Sequence, residues 1–142
     1  LSGTHQSQEI ELIIELFNFQ NYLKMQADTL PLGLKQKLAL SCAVMHRPDV
    51  LFLDEPTSGV DPITRREFWA HINALADKGV SVMVTTHFMD EAEYCDRIGL
   101  IYSGENIATG TPDDLKDLVK SRNLPDPTLE DAFIELIKRH DT

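Results

Sequence analysis

Val50-Leu51-Phe52-Leu53-Asp54-Glu55-Pro56 is the stretch that decides the fold of this 142-residue chain. Its first four residues are apolar, and a short apolar run ended by turn-forming residues is typical of a strand in a parallel sheet that helices bury on both faces. Two carboxylates follow directly, and α/β sheets bind their ligands at the carboxyl ends of their strands. The stretch therefore predicts an α/β fold with candidate site residues at Asp54 and Glu55.

The elements on both sides of this strand extend the α/β pattern. Downstream, Asp61 followed by proline predicts a helix start, 80–85 predicts a second strand, and 98–102 predicts a third strand of the same sheet. Right-handed crossovers are expected to join these strands. Upstream, apolar residues recur at helical spacing and predict helices over 9–23 and 33–46. These two helices should form a separate α-helical lobe.

The end of the chain predicts two further helices. Thr111-Pro112-Asp113-Asp114 and Thr128-Leu129-Glu130-Asp131 both place a threonine three residues before an acidic side chain, which matches the capping-box pattern. We therefore expect three parts: an α-helical subdomain over 1–48, an α/β core segment over 49–110 and C-terminal helices over 111–142.

The composition limits the class of partner. Thirteen Lys and Arg against twenty-three Asp and Glu give a formal net charge of -10. Proteins that bind the nucleic-acid backbone need clustered positive charge, so this balance argues against nucleic acid as the main partner. The longest stretch without a charged side chain is 79–89, eleven residues, whereas a membrane-spanning helix needs about 20 apolar residues. We expect a soluble chain.

Asp54 and Glu55 allow two interpretations. An aspartate at the end of such a strand can hold Mg²⁺ directly or through water, as a Walker B strand does in nucleotide-binding proteins. The adjacent glutamate can orient or deprotonate an attacking water. The alternative is that both carboxylates only cap the turn before Pro56, and residues further along the chain have to decide between the two.

The downstream residues favour the first interpretation. The turn Pro56-Thr57-Ser58-Gly59-Val60-Asp61 follows the carboxylates, and Thr86-His87 follows the next predicted strand. In these motifs, and in their order and spacing, the chain resembles the ATP-binding cassette of ABC transporters. Segment 127–133 is similar to the end of cassettes that serve ABC-2 type and drug exporters. The resemblance implies a partial P-loop NTPase (RecA-like) fold, with 1–48 as the signature subdomain and 49–110 as the second half of the ATPase core.

The resemblance also implies roles for individual residues and two cofactors, ATP and Mg²⁺. Asp54 would bind Mg²⁺ through water, Glu55 would be the general base, and His87 would contact the γ-phosphate and help to position the attacking water. Asp61 would reach across to a second cassette. A lone histidine after a strand is otherwise more typical of a turn, so the position of His87 relative to the carboxylates carries this interpretation.

The signature motif of the family is altered in this chain. Where the family has Leu-Ser-Gly-Gly-Gln, this chain has Leu30-Pro31-Leu32-Gly33-Leu34, followed by a matching Lys35 and Gln36. Gly33, Lys35 and Gln36 are therefore the candidate groups that receive the phosphate of an ATP held by the opposite subunit, at a helix N-terminus. Three alternatives stay open: the remaining amides suffice, this cassette is the weaker member of an asymmetric pair, or 30–34 is simply a proline-led helix start.

The sequence contains no phosphate-binding loop of the form G-x-x-x-x-G-K-[ST]. Gly99 and Gly104 have the right separation, but Glu105 and Asn106 follow them. We expect that loop upstream of Leu1, and we expect the chain by itself not to hydrolyse ATP.

The implied function is that of an ATP-hydrolysing ABC exporter subunit. Its expected partners are a second cassette and transmembrane permease subunits, and its expected location is peripheral, on the cytoplasmic side of the cell membrane. Two other functions remain open: an ABC ATPase without a transport role, and a catalytically weak interaction module of an asymmetric pair.

Overall fold

The computed structural model describes the backbone of residues 3–142 and the side chains of residues 7–142. The chain forms two compact units, Leu1–Thr85 and Thr86–Thr142. The elements of the first unit are α1 (Gly3–Leu16), a 3₁₀ turn (Ala27–Thr29), α2 (Leu32–Val44), β1 (Val50–Asp54), α3 (Pro62–Asp77) and β2 (Ser81–Thr85). Those of the second are α4 (Met89–Ala92), β3 (Ile98–Tyr102), β4 (Glu105–Gly110), α5 (Pro112–Asp117) and α6 (Leu129–His140). The three functional segments expected over 1–48, 49–110 and 111–142 stay a prediction.

The strands β1 and β2 pair in parallel, as predicted, and Asp54 lies opposite Thr85 at their carboxyl ends. Side chains alternate between the two faces of a strand. On one face Leu51 is buried, whereas on the other Phe52 is 73% exposed and its register partner Met83 is 60% exposed. The expectation that β1 is buried on both faces is therefore wrong, because the described residues cover only one face of the pair.

The strand predicted over 98–102 forms, but its predicted place in the sheet is wrong. β3 pairs antiparallel with β4 in a separate two-stranded sheet. The cause is the connection between them: Ser103 and Gly104 both take positive φ, 50° and 82°. A two-residue turn with both φ angles positive matches the twist of a hairpin and returns the chain directly alongside the preceding strand.

Three predicted helix starts agree with the structure, whereas one predicted helix end does not. Asp61 caps α3, and complete capping boxes begin α5 at Thr111 and α6 at Thr128, so these three predictions are confirmed. The helix predicted over 9–23 instead ends at Leu16. Asn18 has a φ of 58°, and asparagine tolerates this left-handed conformation, which a continuing helix cannot contain.

The second unit has its own apolar core. Its buried members come from α4, β3, α5 and α6: Ala92, Ile98, Leu100, Leu115 and Leu129. Within residues 3–142, no helix combines the length and the apolar character that crossing a membrane requires.

Candidate functional site

The candidate site of the first unit lies where β1 and β2 end. The Thr85 hydroxyl donates a hydrogen bond to Oδ1 of Asp54. The same hydroxyl accepts one from the backbone N–H of Glu55, at 3.0 Å. The carbonyl oxygen of Thr85 also accepts from that N–H, at 3.0 Å. One residue of β2 therefore contacts both members of the carboxylate pair predicted from the sequence.

Glu55 has an unusual backbone conformation. Its φ is 42°, in the left-handed region, which costs a residue with a side chain about 1–2 kcal/mol. Such strain persists only where the surroundings hold it, and it is found preferentially at functional positions. Thr85 holds the N–H of Glu55, and Ser58 donates its N–H to the Glu55 carbonyl at 3.2 Å. The chain therefore leaves β1 in a tight, hydrogen-bonded turn that begins at Glu55.

The donor set at the end of β1 suits Mg²⁺ bound together with a nucleotide. Asp54 and Glu55 are both exposed carboxylates, and Mg²⁺ is held in proteins by one or two carboxylates, with waters and substrate phosphates as its remaining ligands. Among the residues that the structure describes, no group of three or more His, Cys, Asp or Glu could enclose a metal ion. The carboxylate pair thus fits a metal ion whose remaining ligands are phosphate oxygens and waters.

Asp61 has a structural role that the geometry shows directly. Its Oδ1 accepts hydrogen bonds from the N–H groups of Ile63 at 3.1 Å and Thr64 at 3.0 Å, at the first turn of α3. Hydrogen bonds from the side chain and the backbone of Thr64 lower the pKa of Asp61 below its usual value. The predicted contact of Asp61 with a second cassette stays a prediction.

The altered signature segment packs against the turn that follows β1 and the start of α3. A Cβ added to Gly33 would lie 2.6 Å from Cγ2 of Thr64, and one added to Gly59 would lie 3.0 Å from Cδ2 of Leu32. Pro31 precedes α2 at the N-cap position and makes no side-chain cap hydrogen bond. Gly33 is therefore needed for the close approach of the two helix starts, whatever its part in binding phosphate.

The other two candidates of the signature segment lie in the first turns of α2. Lys35 is exposed, and its N–H bonds to the carbonyl of Pro31 at 3.0 Å. Gln36 is half-buried. The next residue, Lys37, is buried and forms an ion pair with Glu67 of α3, which sequence analysis did not single out.

His87 lies in the second unit, in a turn that a buried carboxylate supports. The Thr86 hydroxyl donates to Oε2 of Glu91 at 2.7 Å and accepts from the N–H of Phe88 at 3.1 Å. The exposed His87 ring packs against the Phe88 ring, with 4.1 Å between centroids. Glu91, which is 0% exposed, was not predicted from the sequence, where the only local signal is an acidic residue in the first turn of a short helix after a threonine.

Comparisons with known proteins agree on one family. The family model described as "ABC transporter" matches residues 2–58. The chain is 62% identical over 137 residues to the "Probable multidrug ABC transporter ATP-binding protein YbhF" of Escherichia coli (strain K12), which covers 96% of this chain and 24% of that protein. It is 39% identical over 104 residues to the "Nod factor export ATP-binding protein I" of Burkholderia lata, which covers 72% of this chain and 34% of that protein.

A solved structure gives the same result at the level of the fold. The protein described as "Structure of ATP binding subunit of ABC transporter" superposes with a TM-score of 0.78 at 27% identity, over 96% of this chain and 56% of that one. The chain therefore spans about a quarter to a third of the length of these two curated relatives and about half of the similar structure.

Proposed function

Since the chain belongs to the ATP-binding cassettes of the ABC transporter family, we propose that it supplies the carboxylate-bearing part of an ATPase that powers export across a membrane. The likeness to the solved ATP-binding subunit confirms the predicted α/β, P-loop NTPase fold class. The observation that carries the proposal is the Asp54 and Glu55 pair at the carboxyl end of β1, held by Thr85. The names of the two relatives, a multidrug transporter protein and a Nod factor export protein, support export.

We assign a separate role in ATP hydrolysis to each of three residues. Asp54 would hold Mg²⁺ through water, and Glu55 takes the proton of the attacking water as general base. Bound Mg²⁺ supplies neutralisation of the charge on the ATP phosphates. His87 contacts the γ-phosphate and positions the water.

The same proposal assigns partners. Asp61 reaches toward a second cassette, while Gly33, Lys35 and Gln36 at the start of α2 receive the phosphate of an ATP held by that second cassette. Transmembrane permease subunits use the closing motion of the pair. The cassette lies peripherally, on the cytoplasmic side of the cell membrane.

One observation favours a second candidate function, the weaker member of an asymmetric cassette pair. Pro31 stands where the family has serine, and α2 begins without a side-chain cap. A lost hydrogen-bond donor to a developing charge costs about 3–4 kcal/mol of transition-state stabilisation. In this second function, the signature segment of this chain completes the ATP site of the partner cassette, and that site hydrolyses ATP slowly. The carboxylates of this chain act normally in the other ATP site.

The test uses a complete cassette, in which this chain is joined to an upstream segment that carries a phosphate-binding loop of the form G-x-x-x-x-G-K-[ST]. Glu55→Gln should lower kcat for ATP hydrolysis by at least about 100-fold, since a general base contributes about 10²–10⁴. Glu11→Gln, on the exposed surface of α1, is the matched control and should hydrolyse ATP normally. Equal rates in the two variants would refute the proposal. Hydrolysis by the chain alone would contradict only the expectation that the chain by itself is inactive.

A further inference from the structure

β2 ends with Thr85, which Thr86 follows, and the hydroxyls of these two threonines have different partners. Thr86 donates to the buried Glu91 in the second unit. Thr85 donates to Asp54 and accepts from the N–H of Glu55 in the first unit. The proposed reaction uses both carboxylates, and it assigns nothing to the Thr85 hydroxyl.

A hydroxyl group has one donor and two acceptor positions. In Thr85 the donor goes to Asp54, which fixes the rotation of that carboxylate, because one of its two oxygens is held to the neighbouring strand. One acceptor position goes to the N–H of Glu55, which the Thr85 carbonyl also accepts, so the hydroxyl shares with the backbone in holding a residue whose φ of 42° is unfavourable. A single group thus contacts the carboxylate of one residue and the backbone of the next.

The register explains why this residue can do so. Asp54 and Thr85 are direct partners in the parallel pair, so their side chains leave the same face of the sheet at the same level. Valine at this position would keep the shape and the strand preference but lose both hydrogen bonds. Serine would keep both hydrogen bonds and lose one methyl group.

We infer that Thr85 is a positioning residue for ATP hydrolysis. Its hydroxyl orients the Asp54 carboxylate toward the metal and helps to hold the Glu55 backbone in its strained turn. This inference rests on the proposed function. Partners that orient metal-binding groups typically change metal affinity or activity by about 10–100-fold when they are removed. The effect should fall on kcat and on metal affinity, while the KM for ATP stays within about twofold, because Thr85 acts through two other residues.

The experiment compares Thr85→Val, Thr85→Ser and Thr109→Val in the same complete cassette. Thr109 is an exposed strand threonine of β4 whose hydroxyl bonds to Asn106, and it controls for the loss of a strand hydroxyl elsewhere. Two quantities are measured: kcat and KM for ATP, and the affinity for Mn²⁺ with a non-hydrolysable ATP analogue, by electron paramagnetic resonance. Thr85→Val should lose about 10–100-fold in kcat and about tenfold in Mn²⁺ affinity, and Thr85→Ser and Thr109→Val should keep both.

Each result separates the inference from the proposed function. If Glu55→Gln abolishes hydrolysis but Thr85→Val retains normal kcat and Mn²⁺ affinity, the inference is overturned and the proposed function stands. If Thr85→Ser is as impaired as Thr85→Val, the hydroxyl is not the cause, and the inference is overturned as well. If Glu55→Gln stays active, the proposed function itself fails. Should Thr85→Val not fold, Thr85→Ala, which adds no bulk, is measured in the same way.

Discussion

Gly33→Ala tests whether the signature segment is held by its packing against α3. The new Cβ would lie 2.6 Å from Cγ2 of Thr64, whereas carbon atoms in contact prefer about 3.5–4.0 Å. Relieving an overlap of about an ångström typically costs about 1–3 kcal/mol. Alanine is favoured over glycine in a helix by up to about 1 kcal/mol, so we expect the free energy of unfolding to fall by about 1–2 kcal/mol.

The assay is urea unfolding of the chain followed by circular dichroism, in a double-mutant cycle with Thr64→Ser. Serine lacks Cγ2, so it removes the atom that the alanine would strike and keeps the hydroxyl. Gly33→Ala should then cost at least about 1 kcal/mol less in the Thr64→Ser background than in the original chain. Gly99→Ala is the matched control, because its Cβ would meet nothing closer than 3.9 Å.

The refuting result is an absence of coupling. If Gly33→Ala lowers stability equally with threonine or serine at position 64, the close contact of the two helix starts does not set the cost. If Gly33→Ala does not destabilise at all, α2 and α3 do not approach each other at Gly33, and the argument for its structural role fails.

Three further outcomes follow from the described contacts. Hydrogen bonds from Thr128 lower the pKa of Asp131 below the usual 3.8. The contribution of Asp131 to stability is therefore complete above pH 3.8 and is lost as the pH falls through the lower pKa of the folded state. In an acid titration, Asp131→Asn should flatten the loss of stability below about pH 4. Lys37→Met should change the free energy of unfolding in urea by less than about 1.5 kcal/mol, because methionine is an apolar side chain of similar length and Glu67 is exposed enough to stay hydrated. A loss above about 3 kcal/mol would contradict this expectation. The exposed apolar face that contains Phe52 and Met83 should cause concentration-dependent association in sedimentation velocity, which Phe52→Thr with Met83→Thr should weaken; a monomer at every concentration would refute it.

Local signals made part of the fold predictable. The cap of α3 and the two capping boxes depend on residues within one turn, so the sequence contains the whole interaction. The apolar run before Asp54 is equally local, and it predicts a strand without knowledge of its neighbours. Two of the predictions that failed depend on distant partners: which faces of β1 are covered, and which strand pairs with β3. The third, the end of the first helix, failed at the left-handed Asn18.

The candidate site shows the same division. Asp54 and Glu55 could be predicted, because their position after an apolar run is visible in the sequence. Thr85 could not, because a threonine at the end of a strand has no distinguishing pattern until the register is known. Once β1 and β2 are aligned so that both end together, Asp54 and Thr85 become neighbours, and a hydroxyl beside a carboxylate at a strand end becomes a specific chemical arrangement. Pairing two predicted strands by their carboxyl ends is therefore the step that turns separate polar residues into a prediction of which ones act together.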